Sequence, residues 1–177
     1  NRVVTVLVIG LAALEIYGAP FGTIDFFLLR AMFVSFILAL SFICYNYSLW
    51  DDSDKVSVVD IVMAVLGFSV GVYIVINGDA IINRWTGVDP LTPADIFFTA
   101  TLFLLVLEVT RRTVGPVLVL LIMVFVLYNF VGKYLSGGFG HRGMTVVGFL
   151  DRMVYTFDGI FGTPIGVTCT YVYMFVL

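Results

Sequence analysis

The sequence predicts an all-α, polytopic membrane protein with about six membrane-spanning helices and one short interfacial amphipathic helix. Of its 177 residues, 61% are hydrophobic and 12% are charged. A soluble domain has about 45–50% apolar and about 25% charged residues. A soluble domain of about 150 residues leaves about 30% of its unfolded-chain surface in water. The surplus apolar surface therefore has to face lipid or other membrane helices.

The length of the apolar runs is the second observation. A membrane-spanning helix needs about 20 mostly apolar residues, and helices satisfy every backbone polar group within lipid. The predicted spans are residues 3–19, 24–46, 58–77, 93–107, 114–131 and 160–177. Turn residues at 18–22 and an acidic loop at 51–55 separate the first three spans.

The third observation is a helical periodicity in residues 144–158, before the sixth span. The recurring apolar residues are Val146, Phe149, Leu150, Met153, Val154 and Phe157. This pattern predicts a short amphipathic helix that lies in the interface or against protein. The alternative is an extension of the sixth helix, and Gly159 and Gly162 favour a break.

Charge and motifs exclude several classes of function. The net charge is -3, and without a basic stripe we expect no nucleic-acid partner. Because Cys44 and Cys169 lie in apolar runs, we expect both thiols to be buried. His141 is the single histidine of the sequence, so we expect no metal site. Because hydrolase, P-loop and CxxC motifs are missing from the sequence, we expect no enzyme activity, no catalytic residues and no cofactor.

Glu15 and Arg30 are the two charges well inside predicted spans. The 18–22 turn makes the first two helices antiparallel neighbours, so both charges fall at similar depth near one membrane face. This arrangement predicts an ion pair that neutralises two otherwise costly groups. We favour a structural helix clamp over the alternative, a proton or ion relay.

A second charged group follows the fourth span. Glu108 is spaced i,i+3 from Arg111 and i,i+4 from Arg112, which predicts structural ion pairs on one helix. The adjacent arginines favour a cytoplasmic position for their short loop, and therefore a cytoplasmic N-terminus.

Three aspartates are placed to begin predicted helices. Asp25, Asp60 and Asp95 lie at or near span starts, where the helix dipole favours negative charge. We expect all three to face the lipid headgroups.

Small residues repeat every four positions on the second and third spans. Ala31, Ser35 and Ala39 form one stripe, and Gly67 and Gly71 form the other. Small residues at this spacing let helix backbones approach closely, so we predict a helix-packing seam.

Gly162, Thr163, Pro164, Ile165 and Gly166 open the sixth span. Such interruptions mark the discontinuous helices of secondary transporters, which makes Thr163, Pro164, Thr168 and Thr170 candidate substrate-binding residues. We favour the simpler alternative of a helix start with proline in its first turn.

Three blocks in the second half carry a family resemblance. LEVTRRTVG at 107–115 resembles the LEATRRxxG signature of fused TRAP transporter permeases of the TAXI type, and GIFGTPIGV at 159–167 is similar to their GIFGxPLGV element. The block between them comprises Tyr128, Gly132, Tyr134, Leu135, His141, Arg142 and Gly143. Val109, Ser136, Ile165 and Cys169 depart from the family pattern, and none has a role that we can name.

The resemblance implies a prokaryotic inner-membrane symporter that imports organic acids, usually with sodium ions, together with an extracytoplasmic TAXI-type substrate-binding protein. Residues 1–112 would form the small four-helix domain, 113–131 a connecting helix, 132–159 an extracytoplasmic loop with the interfacial helix, and 160–177 the first helix of the large transport domain. The chain would then be mainly scaffold, with the substrate site beyond Leu177. The alternative function is a non-transporting helical membrane scaffold or assembly subunit.

Overall fold

A computed structural model describes residues 2–21, 25–45, 57–134, 138, 140–172 and 175. Within these ranges every regular element is helical. The α-helices are α1 (Arg2–Phe21), α2 (Phe26–Cys44), α3 (Val58–Ile76), α4 (Gly78–Ile82), α5 (Pro93–Thr113), α6 (Pro116–Val131), α7 (Val146–Val154) and α8 (Thr163–Val167). A 3₁₀ turn, Gly132–Tyr134, follows α6, and a π-helical turn, Thr168–Val172, follows α8.

Four of the described helices are long and apolar enough to cross a membrane. They begin at Phe26, Val58, Pro93 and Pro116. A helix of 19 residues is about 28 Å long, close to the hydrocarbon thickness of about 30 Å. The chain is therefore an all-α membrane protein with four candidate spans among its described residues, and the predicted number of six is not confirmed.

The first and sixth predicted spans are not among these four. α1 is 20 residues long, and within it Val4–Gly18 form an apolar stretch that is shorter than the four candidates. In the predicted 160–177 helix, residues 160–162 form a turn, α8 begins at Thr163 and passes directly into the π-helical turn, and residue 175 is again helical. Residues 173, 174, 176 and 177 lie outside the described part of the chain, so the predicted continuation of the sixth helix is not described at these positions.

Two helix ends differ from the predicted boundaries. α1 continues through the predicted turn at 18–22 as far as Phe21, and the rest of that turn and the acidic loop at 51–55 lie outside the described residues. α5 extends past Leu107 to Thr113 because Glu108 and the two arginines pair along the helix surface.

Helix starts follow the expected capping chemistry. Asp25 caps α2 by accepting a 2.7 Å hydrogen bond from the Phe27 amide. Ser57 with Asp60, and Thr92 with Asp95, form capping boxes on α3 and α5. The expectation that all three aspartates face headgroups is wrong for Asp60, whose side chain is fully buried.

A single glycine turns the chain between α5 and α6. Gly115 has φ +114°, in the left-handed region that favours glycine. Pro116 follows in the first turn of α6, where a missing amide proton costs nothing. The two helices are therefore joined by a minimal connection and pack side by side.

The core lies between α2, α3 and α5, with α1 on α2 and α7 on α5. At the predicted seam, a Cβ on Gly71 would overlap the Ser35 hydroxyl, and one on Gly67 would lie 3.1 Å from Leu38 Cβ. Ala31 and Ala39 on the facing stripe are buried. The small residues therefore lie where α2 and α3 approach closely.

The segment after α6 folds back against α5. Phe149 of α7 packs edge-on against Phe103, with ring centroids 5.5 Å apart, and against Phe130 at 5.4 Å. After α7 the Ile160 amide donates to the Met153 carbonyl at 2.7 Å. The chain thus breaks between α7 and α8, as Gly159 and Gly162 favoured, and α7 lies against protein.

We expect Gly71→Ala to lower the free energy of unfolding in detergent micelles by about 1–3 kcal/mol, because the new methyl group overpacks the seam. Adding Ser35→Gly should recover part of this loss by making room for it. Gly138→Ala is the control, since nothing lies within 4 Å of its added Cβ. Equal effects of the two alanine substitutions on the thermal midpoint would contradict this close packing.

Candidate functional site

Buried polar side chains mark three clusters in the described structure. The Arg112 cluster comprises Arg112, Asp60, Glu108 and Arg111. The Asp95 cluster comprises Asp95, Tyr73, Tyr155, Arg84 and Asp151. The Arg30 cluster comprises Arg30, Glu15, Gly166 and the carbonyl groups of Phe161 and Gly162.

The Arg112 cluster joins the ends of three helices. One nitrogen of the guanidinium, Nη1, donates to Asp60 Oδ1 at 2.7 Å and to the Tyr45 carbonyl at 2.9 Å, while Nε donates to Glu108 Oε1 at 2.8 Å. The Phe42 ring lies 4.9 Å from the centre of the guanidinium. Because the side chains of Arg112 and Asp60 are each only 1% exposed, this ion pair is buried within the fold.

Both ion pairs predicted on α5 are present in the structure. Arg111 donates to the two Glu108 oxygens at 2.8 and 2.7 Å, and Arg112 shares one of them. The pairing of Asp60 with Arg112 was not predicted, although the position of Asp60 in the first turn of α3, opposite the last turn of α5, is a usable signal. Since Asp60 and Glu108 neutralise much of this positive charge, the arginine pair is a weaker indicator of a cytoplasmic loop than the sequence suggested.

The Asp95 cluster lies at the opposite end of the same helices. The hydroxyl groups of Tyr73 and Tyr155 both donate to Asp95 Oδ1, at 2.7 and 3.2 Å. The other oxygen, Oδ2, accepts from the Thr92 amide at 2.9 Å. This one carboxylate therefore connects the end of α3, the start of α5 and the residue that ends α7.

An ion pair fastens the loop before α5 to α7. Arg84 pairs with Asp151, whose second oxygen accepts from the Gly87 amide at 3.0 Å. The Arg84 guanidinium also lies 4.9 Å from the centroid of the Tyr155 ring. Burial raises the pKa of the Tyr155 hydroxyl, and the neighbouring Asp95 carboxylate raises it further. Tyr155 therefore stays protonated, and acts as a donor, to a higher pH than an ordinary tyrosine.

The Arg30 cluster corrects the predicted Glu15–Arg30 ion pair. Arg30 Nη1 donates to the Phe161 carbonyl at 2.8 Å and to the Gly162 carbonyl at 3.4 Å, and its guanidinium lies 4.9 Å from the Phe157 ring centroid. The turn before α8 presents these carbonyls outside a helix, so they compete for the guanidinium. This partner lies 131 residues away along the chain, beyond what helix adjacency alone predicts.

Glu15 is left in an unusual environment. Its side chain is fully buried, and among the described residues neither carboxyl oxygen has a hydrogen-bond partner. Arg30 Nε is also buried without a partner there. Around them, α1 packs against α2 and the π-helical turn, and α2 packs against α8.

The candidate substrate residues around α8 have structural contacts. Pro164 lies in the first turn of α8, in agreement with the simpler of the two sequence interpretations. The Thr168 hydroxyl donates to the Pro164 carbonyl at 2.7 Å, and the Thr170 hydroxyl donates to the Gly166 carbonyl at 2.7 Å. Thr163 is an exposed helix-start residue. The hydroxyl protons of Thr168 and Thr170 are therefore bonded within the chain, and a substrate role for this segment stays a prediction.

The predicted thiols and histidine have different environments. Cys169 is buried, but Cys44 is exposed, contrary to prediction. His141 Nδ1 accepts from the Gly143 amide at 3.1 Å, which leaves Nε2 to donate to the Tyr128 carbonyl at 3.2 Å. Across the residues with described positions, no group of three His, Cys, Asp or Glu side chains is placed to hold a metal ion.

No family model, curated protein or solved structure matches the chain. The resemblance to TRAP permeases therefore depends on the motif residues themselves.

We expect Arg112→Leu to destabilise the protein by about 3–5 kcal/mol, because it leaves Asp60 buried without its partner. The double variant Arg112→Leu with Asp60→Asn should recover much of the loss. Denaturation in mixed micelles measures both effects.

Arg111→Leu is the matched control for this prediction. It removes the neighbouring arginine, whose side chain is 30% exposed against 1% for Arg112, and should cost less. An equal loss for the two single variants, or additive losses in the double variant, would contradict the buried pair.

Alkaline pH offers a test of the Asp95 cluster. Because the folded state raises the pKa of Tyr155 above its usual value of 10.0, the unfolded chain loses this proton first as the pH rises. The contribution of Tyr155 to stability is therefore complete below pH 10 and declines above it. We expect Tyr155→Phe to make the alkaline fall in thermal midpoint shallower. Tyr134→Phe, at a residue that is 77% exposed, should leave the slope unchanged, and parallel slopes in all three proteins would contradict the assignment.

Proposed function

We propose that the chain is the scaffold part of a TAXI-type TRAP transporter permease. Such a permease imports organic acids together with an extracytoplasmic substrate-binding protein and is driven by sodium ions. The observation that carries the proposal is the occurrence of three motif blocks, in family order, between residues 107 and 177. The permease would lie in the inner membrane of a prokaryote with its N-terminus in the cytoplasm.

The packing of the third block supports the proposal. A Cβ on Gly159 would overlap the Met153 backbone, and one on Gly162 would lie 2.8 Å from the Phe157 carbonyl oxygen. A Cβ on Gly166 would lie 2.5 Å from Arg30 Nη2. Each glycine of the block is thus restricted by a close approach in the fold, so the motif reflects more than apolar composition.

The first block supports it in a different way. Glu108, Arg111 and Arg112 carry the ion pairs that tie α5 to α3 and to the end of α2. The charged residues of the motif therefore hold helix ends together. This role suits a rigid scaffold, and the substrate and sodium sites would then lie in the remainder of the large domain, beyond Leu177.

Segments 78–92 and 132–158 are the candidates for docking the binding protein, and an ion pair joins them. Arg84 in segment 78–92 pairs with Asp151 in segment 132–158. Near this link, Trp85 and Val88 are 75% and 76% exposed. We propose that this joined surface faces the extracytoplasmic side and receives the binding protein.

The decisive experiment is uptake of radiolabelled organic acids by proteoliposomes that contain the complete protein. We expect uptake to require both the cognate binding protein and an inward sodium gradient. Gly166→Val should abolish uptake by displacing Arg30, whereas Gly138→Ala, in open space outside the third block, should retain it. Uptake that ignores both the binding protein and the gradient would exclude this mechanism.

A non-transporting scaffold is the second candidate, and the surface of α6 favours it. Among the described residues, α6 has no buried side chain, and large apolar residues such as Val117, Leu120 and Phe125 are more than 60% exposed. A helix of this kind suits an assembly subunit that packs against other membrane proteins. Failure of uptake together with stable co-purification of partner membrane proteins would favour this alternative.

A further inference from the structure

We propose that Glu15 is a proton-binding site inside the membrane domain, and that its proton keeps Arg30 bound to the turn before α8. The inference concerns a site separate from substrate transport, so it holds for a permease and for a scaffold alike. It begins from the burial of a carboxyl group that lacks any hydrogen-bond partner within the described chain.

The environment of Glu15 suits a neutral acid. Both oxygens are enclosed where α1 packs on α2 and on the π-helical turn. An ionised carboxylate at such a place loses its hydration without receiving a donor, which is strongly unfavourable. A protonated carboxyl group loses only the hydration of a neutral polar group, and this cost is much smaller.

The groups that face this site come from both neighbouring elements. α2 contributes Arg30, and the π-helical turn contributes Cys169, which lies within electrostatic range of both Glu15 and Arg30. The Cys169 thiol donates to the Gly166 carbonyl at 3.4 Å. Tyr17 on α1 and Tyr171 on the turn are 58% and 64% exposed, and Cys44 lies exposed at the far end of α2.

Arg30 is the charged member of the site. Its guanidinium stays charged in either state, and it now donates to the carbonyls of Phe161 and Gly162. Its Nε is buried without a partner in the described structure. The absence of a side chain on Gly166 leaves the space that the guanidinium occupies. A guanidinium on a long side chain thus has two possible acceptors, the exposed carbonyls and Glu15.

Loss of the Glu15 proton to water changes this competition. The carboxyl O–H bond breaks, the proton leaves, and the carboxylate becomes a charged acceptor. Two opposite charges attract each other strongly in a medium of low dielectric constant, so a carboxylate is a better acceptor for the guanidinium than a neutral carbonyl, and Arg30 moves from the carbonyls to Glu15. The turn before α8 then loses its tie to α2. The ion pair predicted from sequence is, on this proposal, the deprotonated state of the same two residues.

Infrared spectroscopy of the complete protein in lipid vesicles tests the proton site directly. At neutral pH we expect a protonated carboxyl C=O band that shifts in D₂O, is lost in Glu15→Gln and disappears as the pH is raised. Glu108→Gln, at an ion-paired glutamate, should instead lose intensity from the carboxylate bands. If Glu15→Gln also loses only carboxylate intensity, the proposal is overturned.

A variant that retains the acid covers the case in which Glu15→Gln does not fold. Glu15→Asp should keep a protonated C=O band at a shifted frequency. An unshifted acid band in this variant would mean that the signal belongs to another group, and would also overturn the proposal.

Cys169 reports whether Arg30 moves. Cys44→Ser is included in both proteins so that maleimide labels Cys169 alone. We divide the labelling rate of the parent by that of Glu15→Gln at each pH, which largely cancels the effect of thiol ionisation on the rate. We expect this ratio to rise severalfold over the pH range in which the acid band disappears. Arg30→Gln should label rapidly at every pH, because it lacks the tie to the turn. A constant ratio would show that deprotonation leaves the turn in place.

Discussion

The burial of one guanidinium constrains the whole helical core. Arg112 cannot lie between three helices unless each supplies an acceptor, and the structure provides Asp60 from α3, the carbonyl of Tyr45 after α2, and Glu108 from α5 itself. Taking a charge out of water is favourable only with such complete compensation. The requirement fixes how far α5 extends and sets its last turn beside the first turn of α3. The close approach of Gly71 to Ser35 farther along the bundle depends on that alignment.

At the opposite end of the bundle a charged side chain is also compensated, but by hydroxyl and amide groups. Asp95 has no arginine of its own and is instead held by two tyrosine hydroxyls and by the start of α5. Because one tyrosine comes from α3 and the other follows α7, the carboxylate connects the bundle to the segment after it. Arg84 and Asp151 extend the connection to the loop before α5. The bundle therefore has polar ties at both ends and an apolar interior between them, an arrangement suited to a rigid element.

Hydropathy alone predicted the middle of the fold well. α3 was expected over 58–77 and covers Val58–Ile76. A long apolar run between polar ends forms a helix in lipid because a helix satisfies all of its backbone hydrogen bonds. The ion pairs within α5 were also accessible, because their spacing is local. Contacts between distant segments were not: Arg112 reaches 52 residues back to Asp60, and Arg30 reaches 131 residues forward to Phe161.

The dependence on contacts between distant segments also explains why the helix boundaries at the two ends of the chain differ from the predicted ones. Apolar composition gives no signal that α1 continues past Gly18 or that the last segment changes from α-helix to π-helical turn at Thr168. Both depend on where backbone groups find partners, and those partners lie in other elements. Exposure of Cys44 was missed for a related reason, since an apolar neighbourhood in sequence does not specify which face of a helix is covered.

The open surface of α6 has a consequence for how this chain can change over generations. At the α2–α3 seam, neighbouring atoms restrict the volume and shape of each side chain. By contrast, none of the α6 residues is enclosed by the rest of the described chain. Within this chain, exchanging one aliphatic residue of α6 for another alters little except its affinity for lipid. Sequence drift at its aliphatic positions is limited by hydrophobicity, and an aliphatic position that resists such drift identifies a contact with a molecule outside the described chain.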